Sequence, residues 1–255
     1  MYTNIFSCKN KTAIVTGGCG LIGKEIVQGL SQFGSNVYVA DQNEAEAKKL
    51  SKQNIQYIKL DITSEDSVRD VLKKVVIESG KIDLLVNCAY PRTKDWGAKF
   101  ENVNYDSWKL NVDSHLGGYF LMCKETAMIM KEQGGGSIIN LASIYGVVAP
   151  DFSIYEGSQM TMPVAYASIK AGIIAMTKYI ATYFGTHNIR ANVISPGGIY
   201  DNQTPSFVDK YSRKTPLGRM GKPNEIVGAV IYLASDASSF VTGQNILVDG
   251  GWTAW

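Results

Sequence analysis

The feature that most constrains this chain is an alternation. Short β-branched runs recur between longer segments of helical period, the pattern that builds βαβ units around a parallel sheet. The predicted strands are Lys11–Thr16, Asn36–Ala40, Ile55–Leu60, Ile82–Asn87, Ser137–Leu141, Arg190–Ile194 and Ile246–Val248. Helical stretches fall near Leu21–Phe33, Asn43–Lys52, Glu65–Glu78, Tyr105–Lys131, Pro163–Phe184 and Pro223–Ala234. Thr63 and Ser64 precede Glu65 and Asp66, giving the third helix an N-cap and an acidic first turn. Several strands are continuously apolar, as strands are when helices cover both faces of their sheet. The expected fold class is therefore α/β, a doubly wound parallel sheet of seven strands. No Pro/Ser-rich linker divides the 255 residues, and 45% hydrophobic against 19% charged residues supplies one large core. One domain over 1–255 is expected. The irregular stretch Val147–Met162, polar, aromatic and without clear period, reads as an inserted loop.

Charge excludes several roles. The net value is +2 with both signs scattered, so neither a nucleic-acid surface nor a membrane anchor is expected. No long apolar run could span a bilayer, and Met1–Lys11 lacks the charged-then-apolar pattern of a leader. A cytoplasmic location follows as an expectation. Cys8, Cys19, Cys88 and Cys123 form no C-x-x-C pair and read as small hydrophobes. The two histidines, His115 and His187, are too few for a His-based zinc site and poor material for a Ser-His-Asp triad. No metal is expected, and the chemistry must come from other groups.

Directly after the first strand comes Thr16-Gly17-Gly18-Cys19-Gly20-Leu21-Ile22-Gly23, followed by helical period. Strand, tight glycine turn and helix start are the context in which such a run cradles a pyrophosphate. Gly17 and Gly18 permit the turn, and Gly20 lets backbone approach a phosphate. Gly23 allows close helix–strand packing, with the helix N-terminus presenting N–H groups. Cys19, Leu21 and Ile22 belong to the same binding turn. Asp41, closing the second strand, is placed to accept from the ribose hydroxyls of an adenosine and to repel a 2′-phosphate. No Arg or Lys in the turn or just after Asp41 counters it, which points to NAD rather than NADP. A plain loop cap is the other reading of Asp41. Asp61 and Ile62, ending the third strand, are placed to border the adenine, and Asn87-Cys88-Ala89 ends the fourth beside the cleft.

In a chain with 14 tyrosines Tyr-x-x-x-Lys pairs arise by accident, and both Tyr105–Lys109 and Tyr166–Lys170 fit the spacing. Context separates them. Tyr166–Lys170 opens a long helix downstream of a strand that ends in Ala142-Ser143, whereas Tyr105–Lys109 has no such serine before it. Spacing of i,i+4 stacks phenol and ammonium on one helix face. A nearby cation favours phenolate and lowers a phenol from its usual pKa of about 10. Tyr166 could then exchange a proton with an alcohol while hydride moves to or from a nicotinamide. Ser143 would hold the substrate oxygen, and Asn111 in the preceding helix would hold a water against Lys170.

Together these residues resemble the short-chain dehydrogenase/reductase family. The resemblance runs through Thr16–Gly23, Asn87-Cys88-Ala89, Asn111, Ser143, Tyr166-Ala167-Ser168-Ile169-Lys170 and Pro196-Gly197-Gly198-Ile199. It continues through Gly218-Arg219, Leu233-Ala234-Ser235-Asp236, Thr242-Gly243-Gln244 and Val248-Asp249-Gly250-Gly251, and it is to the short, single-domain branch. It implies a Rossmann-type sheet, a nicotinamide cofactor and the Asn–Ser–Tyr–Lys roles above. It also implies cofactor contacts from Pro196, Gly197 and Ile199, whose backbone meets the carboxamide, and a homotetramer. Three departures stand out: Leu21 replaces a usual glycine, Tyr90 follows Asn87-Cys88-Ala89 where glycine is usual, and Ser143 to Tyr166 is longer than usual. The glycine spacing with Leu21 is that of the longer branch that modifies sugar nucleotides, which leaves an NAD-recycling epimerase or dehydratase open.

Tyr90 is either a substrate wall or a packed aromatic. The 147–162 insertion must leave and re-enter beside the catalytic residues and so overhangs the pocket, unless it serves an oligomer contact. Its Asp151, Tyr155, Glu156, Ser158 and Gln159 suit a polyhydroxylated ligand better than an acyl chain. Arg92, Lys94 and Lys99 after the fourth strand, and Lys210, Arg213 and Lys214 later, could meet a substrate phosphate. The run Pro196–Gln203 and the long Ser143–Tyr166 interval also resemble sugar-modifying members from bacterial surface-polysaccharide and flagellin-glycan pathways. The expectation is an NAD-dependent oxidoreductase acting on a small-molecule secondary alcohol or ketone, plausibly a sugar or sugar phosphate. A fatty-acyl or small-ketone reductase and a non-catalytic NAD-sensing protein are the alternatives. Trp252 and Trp255 in the tail suggest burial against a neighbouring subunit.

Overall fold

The computed structural model describes residues 4–50 and 52–255. Seven strands form one parallel sheet: β1 (Thr12–Thr16), β2 (Asn36–Asp41), β3 (Ile55–Lys59), β4 (Leu84–Asn87), β5 (Gly136–Leu141), β6 (Ile189–Pro196) and β7 (Asn245–Val248). Their order is β3-β2-β1-β4-β5-β6-β7. The chain thus winds outward one way from β1, returns, and winds the other way from β4. The reversal between β1 and β4 opens a crevice at the strands' carboxyl ends, where ligands bind in such sheets. This is a Rossmann-type single domain.

Alternation along each strand sorts the core into two layers. Ala13 and Val15 of β1, with Val37 and Val39 of β2, face α1 (Gly23–Gln32) and α8 (Val227–Ala234). Ile14, Tyr38 and Ala40 face the opposite way, onto α3 (Glu65–Ser79), α5 (Gly118–Gln133) and α6 (Val164–Phe184). α2 (Glu44–Leu50) is shorter than expected, and the end predicted for it crosses Ser51, outside the described residues, as Met1–Thr3 are. The Ser64 side chain accepts from Ser67 N–H at 3.2 Å, capping α3 as the sequence suggests.

Two elements depart from the expectations. The segment predicted as one helix over Tyr105–Lys131 is α4 (Tyr105–Val112), a π-helical turn (Asp113–Gly117) and α5. A helix not foreseen, α7 (Pro205–Lys214), follows the Pro196–Gln203 run, with Pro205 in its first turn. Its buried Phe207 and Tyr211 join Tyr145, Ile154, Tyr155, Met220 and Trp252 in a third, small core above the sheet edge. Trp252 stacks on Tyr211 with ring centroids 4.2 Å apart, so it finds its burial within its own chain, while Trp255 stays 80% exposed. Among the described residues no helix is long and apolar enough to cross a membrane, and no His/Cys/Asp/Glu cluster could hold a metal.

Candidate active site

The crevice at the switch point is a cleft of about 660 Å³. The glycine turn forms one wall and the start of α6 its floor. Gly17 adopts φ +64°, and a Cβ there would lie 2.6 Å from the Ala89 backbone. A Cβ on Gly23 would lie only 2.1 Å from the Gly17 carbonyl. Both positions therefore exclude side chains, and the turn stays tight enough to present the first N–H groups of α1 to a phosphate. Gly20, Leu21 and Ile22 line the cleft. Cys19 contributes through its backbone, whose N–H donates to Asp41 Oδ2 at 3.0 Å. Burial and the Asp41 carboxylate raise its thiol to about 12, so it is no nucleophile.

Asp41 closes β2, with Oδ1 accepting from Asn43 N–H at 2.9 Å. It is thus a loop cap whose two bonds leave lone pairs on both oxygens. Asp61 is turned to its own loop: Oδ1 accepts from Thr63 N–H at 2.9 Å and from Thr63 Oγ1 at 2.7 Å. Ile62 packs where a Cβ on Gly118 would touch it at 2.6 Å, a core role at the head of α5.

Asn87 does not reach the cleft. Its fully buried amide donates to Asn140 Oδ1 at 2.9 Å and its Oδ1 accepts from Thr16 Oγ1 at 3.3 Å. Asn140 donates in turn to Thr177 Oγ1 at 2.9 Å. This chain of satisfied polar groups pins β1, β4 and β5 to α6, the helix that carries Tyr166 and Lys170. A buried donor left alone there would cost about 1–3 kcal/mol. Ala89 abuts Gly17, and Cys88 and Tyr90 are the residues of this segment that line the cleft. Pro196, Gly197 and Ile199 line it from the end of β6.

Ser143, Tyr166 and Lys170 converge at the floor. Ser143 Oγ accepts from Tyr145 N–H at 3.2 Å, which leaves its own proton for another oxygen, and it lines the cleft with Tyr166. Lys170 is buried one helical turn from Tyr166, with Nζ 5.5 Å from the Tyr166 ring centre. Its ammonium donates to the Leu141 carbonyl at 2.9 Å. The rings of Tyr119 and Tyr90 stand 5.7 and 5.9 Å from it, so the cation sits among three phenols. Burial holds Lys170 down to about 8, a value at which its charge is adjustable near neutrality. Tyr166 itself differs from expectation: burial pushes the phenol up, and the neighbouring Ser143 hydroxyl offsets only part of that. Desolvation sets the direction in the polypeptide alone.

The Asn111 side chain makes its hydrogen bonds away from Lys170. Its amide donates to Thr93 Oγ1 at 2.8 Å and to the Ser107 carbonyl at 2.9 Å, and its Oδ1 accepts from Thr93 N–H at 3.0 Å. These bonds tie α4 to the loop after β4. The residue that meets Lys170 is His115, in the π-helical turn, with Nε2 3.4 Å from Nζ. An aligned i+4 position on the same predicted helix was the only sequence signal for it.

Tyr90 is both wall and packed ring. It is 41% exposed toward the cleft and meets Trp96, His115 and Tyr166 edge-on at 5.6, 5.3 and 5.9 Å. The insertion overhangs the cleft as foreseen, yet the side chains it offers differ. Tyr155, Met160, Thr161 and Met162 face inward. Glu156 is exposed outside the lining, and its carbonyl accepts from Lys210 at 2.7 Å. Asp151 pairs with Lys214, which drops its carboxyl to about 2, and Ser158 caps the Tyr155 carbonyl. These polar groups clamp the insertion onto α7 instead of presenting themselves to ligand. Of the six cations considered for a phosphate, Arg92 lines the cleft, with its guanidinium 5.5 Å from the Tyr90 ring centre. Lys94 and Lys99 are exposed, Lys210 and Lys214 serve the clamp, and Arg213 pairs with Asp209. The Tyr105–Lys109 pair is a surface feature: Tyr105 is 70% exposed and Lys109 pairs with Asp106.

A glycine cradle at the switch point with serine, tyrosine and lysine beneath it defines a nicotinamide-dependent oxidoreductase of the short-chain type. The chain belongs to the short-chain dehydrogenase/reductase family: residues 20–253 match a family model described as enoyl-(acyl carrier protein) reductase. Among curated relatives, the post-translational flagellin modification protein A of Campylobacter coli is 37% identical over 252 residues, covering 96% of this chain and 98% of that one. Among solved structures, a short-chain dehydrogenase from Leptospira borgpetersenii with bound NAD+ superposes with a TM-score of 0.87 at 38% identity, covering 96% and 93%. A gluconate 5-dehydrogenase from Burkholderia cenocepacia in complex with NADP and tartrate gives 0.89 at 28% identity, covering 100% of both chains.

Proposed function

We propose that this oxidoreductase uses NAD and moves a hydride between the nicotinamide and a secondary alcohol or ketone of a sugar or sugar derivative. The observation that carries the reading is the convergence of Ser143, Tyr166 and Lys170 on the cleft lined by Gly20–Gly23 of the glycine turn, with Asp41 bonded to the Cys19 N–H of that turn. A bound nicotinamide supplies the hydride site and, when oxidised, a positive charge beside the phenol. The chain's own residues do the rest. Ser143 donates to the substrate oxygen, Tyr166 exchanges the hydroxyl proton, and Lys170 keeps a positive charge next to the phenol. Asp41 supports NAD because a 2′-phosphate would approach a carboxylate, and no Arg or Lys flanks it in the turn. The flagellin-modifying relative and the gluconate 5-dehydrogenase support the sugar class.

Side-by-side titration of NADH and NADPH tests the cofactor choice. Wild type is expected to favour NADH, and Asp41→Ala to shrink that preference by about tenfold or more through relief of charge repulsion. A wild-type preference for NADPH sinks the assignment. The second reading is reduction of an acyl thioester or small ketone, favoured by the inward-facing Met160 and Met162 and by the matched family description. Faster turnover of thioesters than of ketoses and sugar acids would select it.

The family resemblance further supports a cytoplasmic homotetramer. Phe120 of α5 and Tyr179 and Tyr183 of α6 are large, exposed side chains suited to contacts between copies. Sedimentation is expected to give four copies, and a monomer at micromolar concentration would refute the assembly.

A further inference from the structure

His115 is fully buried, and only one of its ring nitrogens is accounted for. Nε2 lies 3.4 Å from Lys170 Nζ, while Nδ1 has no hydrogen-bond partner among the described residues. Buried imidazoles as a rule satisfy both nitrogens. The direction of the one bond is dictated by chemistry: an ammonium has donors and no acceptor, so Nε2 must bring a lone pair. The ring proton then sits on Nδ1. Burial and the neighbouring ammonium both hold the imidazole neutral. Tyr90 and Tyr119 pack edge-on against the ring at 5.3 and 5.2 Å, which fixes its orientation. Its backbone lies in the π-helical turn, whose extra residue per turn re-aims side chains relative to α4.

We propose that His115, as the neutral Nδ1–H tautomer, is a positioning residue that accepts a hydrogen bond from Lys170 and, with the Leu141 carbonyl, holds the ammonium beside Tyr166. The proposal rests on Tyr166 and Lys170 being the acid/base pair. Two of the three ammonium hydrogens are thereby assigned, and the third is left toward the cleft, which Lys170 lines. The titratable groups around the ammonium are His115, Tyr90, Tyr119, Tyr166 and Cys88. The phenols and the thiol are all displaced upward and stay uncharged at neutral pH. Among the described residues the imidazole lone pair is therefore the one side-chain acceptor in hydrogen-bond reach that favours the charged lysine. Its loss must lower the pH at which that charge disappears.

The tautomer can be read directly. With two histidines in the chain, 15N-labelling of histidine gives two ring systems, and His115→Asn identifies which is which. At pH 7 the His115 ring is expected neutral with its proton on Nδ1. A proton on Nε2, or an imidazolium, overturns the proposal, and the measurement needs neither substrate nor cofactor. It can thus fail while Tyr166 remains essential, or stand while the acid/base reading fails.

Kinetics provide the second arm. His115→Leu is expected to lower kcat by about tenfold or more and to shift the alkaline limb of the pH profile about one unit toward acid, with the cofactor KM little changed. His115→Asn returns an acceptor and is expected to recover most of both effects. A wild-type profile in the Leu variant overturns the proposal, and so does equal impairment in Leu and Asn, which signals packing alone. Should the Leu variant fail to fold, the Asn profile and the tautomer decide.

Discussion

Tyr166→Phe is expected to cut kcat by about 10²–10⁴-fold, the range a positioned acid/base contributes. NAD affinity should stay within about twofold, because the substitution keeps the ring and leaves the glycine turn proposed to cradle the phosphates untouched. The substitution removes one oxygen and leaves the ring. Its edge contacts with Tyr90 at 5.9 Å and Trp96 at 6.3 Å persist, so no cavity opens and the thermal midpoint should barely move. Ser143 keeps its bond from the Tyr145 N–H. Steady-state turnover alongside NAD titration checks the split. Retained turnover would end the acid/base assignment. Loss of turnover together with loss of NAD binding would point instead to a collapsed cleft.

The fold was legible because a parallel sheet buries its strands on both faces and so writes them as apolar runs. All seven fall within a few residues of their predicted places, from Thr12–Thr16 to Asn245–Val248. Less legible was anything decided by one residue per turn. The periodicity of Tyr105–Lys131 runs on through the π-helical turn at Asp113–Gly117, yet that turn determines which side chain meets Lys170. The Asn111 side chain is satisfied by nearer donors and acceptors in Thr93 and Ser107, and the side chain found beside Lys170 is that of His115. Helix α7 was missed because only Phe207 and Tyr211 anchor it among charged neighbours, though Pro205 and the Asp209–Arg213 pair are helix signals.

The same distinction applies to the cleft's outer wall. Composition of 147–162 suggested carboxylates and amides facing a ligand, but a polar side chain near an opposite charge on its own chain is satisfied there first. Lys214 takes Asp151, and Lys210 takes the carbonyls of Ser153 and Glu156. What remains for the cleft is Tyr155, Thr161 and two methionines. Backbone features such as the Gly17–Gly23 turn transferred intact from sequence to structure because sterics, which are local, dictate them. Side-chain pairings did not, because they depend on which distant element arrives.

Lys170→Met is expected to abolish turnover and yet raise stability. The ammonium is buried, and burial draws it from the ordinary lysine value to about 8. Because the folded-state pKa lies below the unfolded one, the charged form is the disfavoured form in the fold. At pH 7 this costs on the order of 3 kcal/mol, a penalty fully present below about pH 8 and relieved as pH rises toward about 10.4, the value of the unfolded chain. Methionine fills much the same volume without a charge. The Leu141 carbonyl loses its 2.9 Å ammonium bond but keeps the Tyr119 hydroxyl within 3.5 Å, so part of the gain is returned. A net stabilisation of about 1–2 kcal/mol corresponds to a thermal midpoint higher by roughly 3–6 °C in a chain of this size. The advantage over wild type should be greatest below pH 8 and vanish above about pH 10. Thermal melts of both proteins across that range test it directly. A variant less stable than wild type at pH 7 would mean that the ammonium's bonds to Leu141 and His115 outweigh its desolvation, and that the fold does not carry Lys170 at a cost for the sake of its charge.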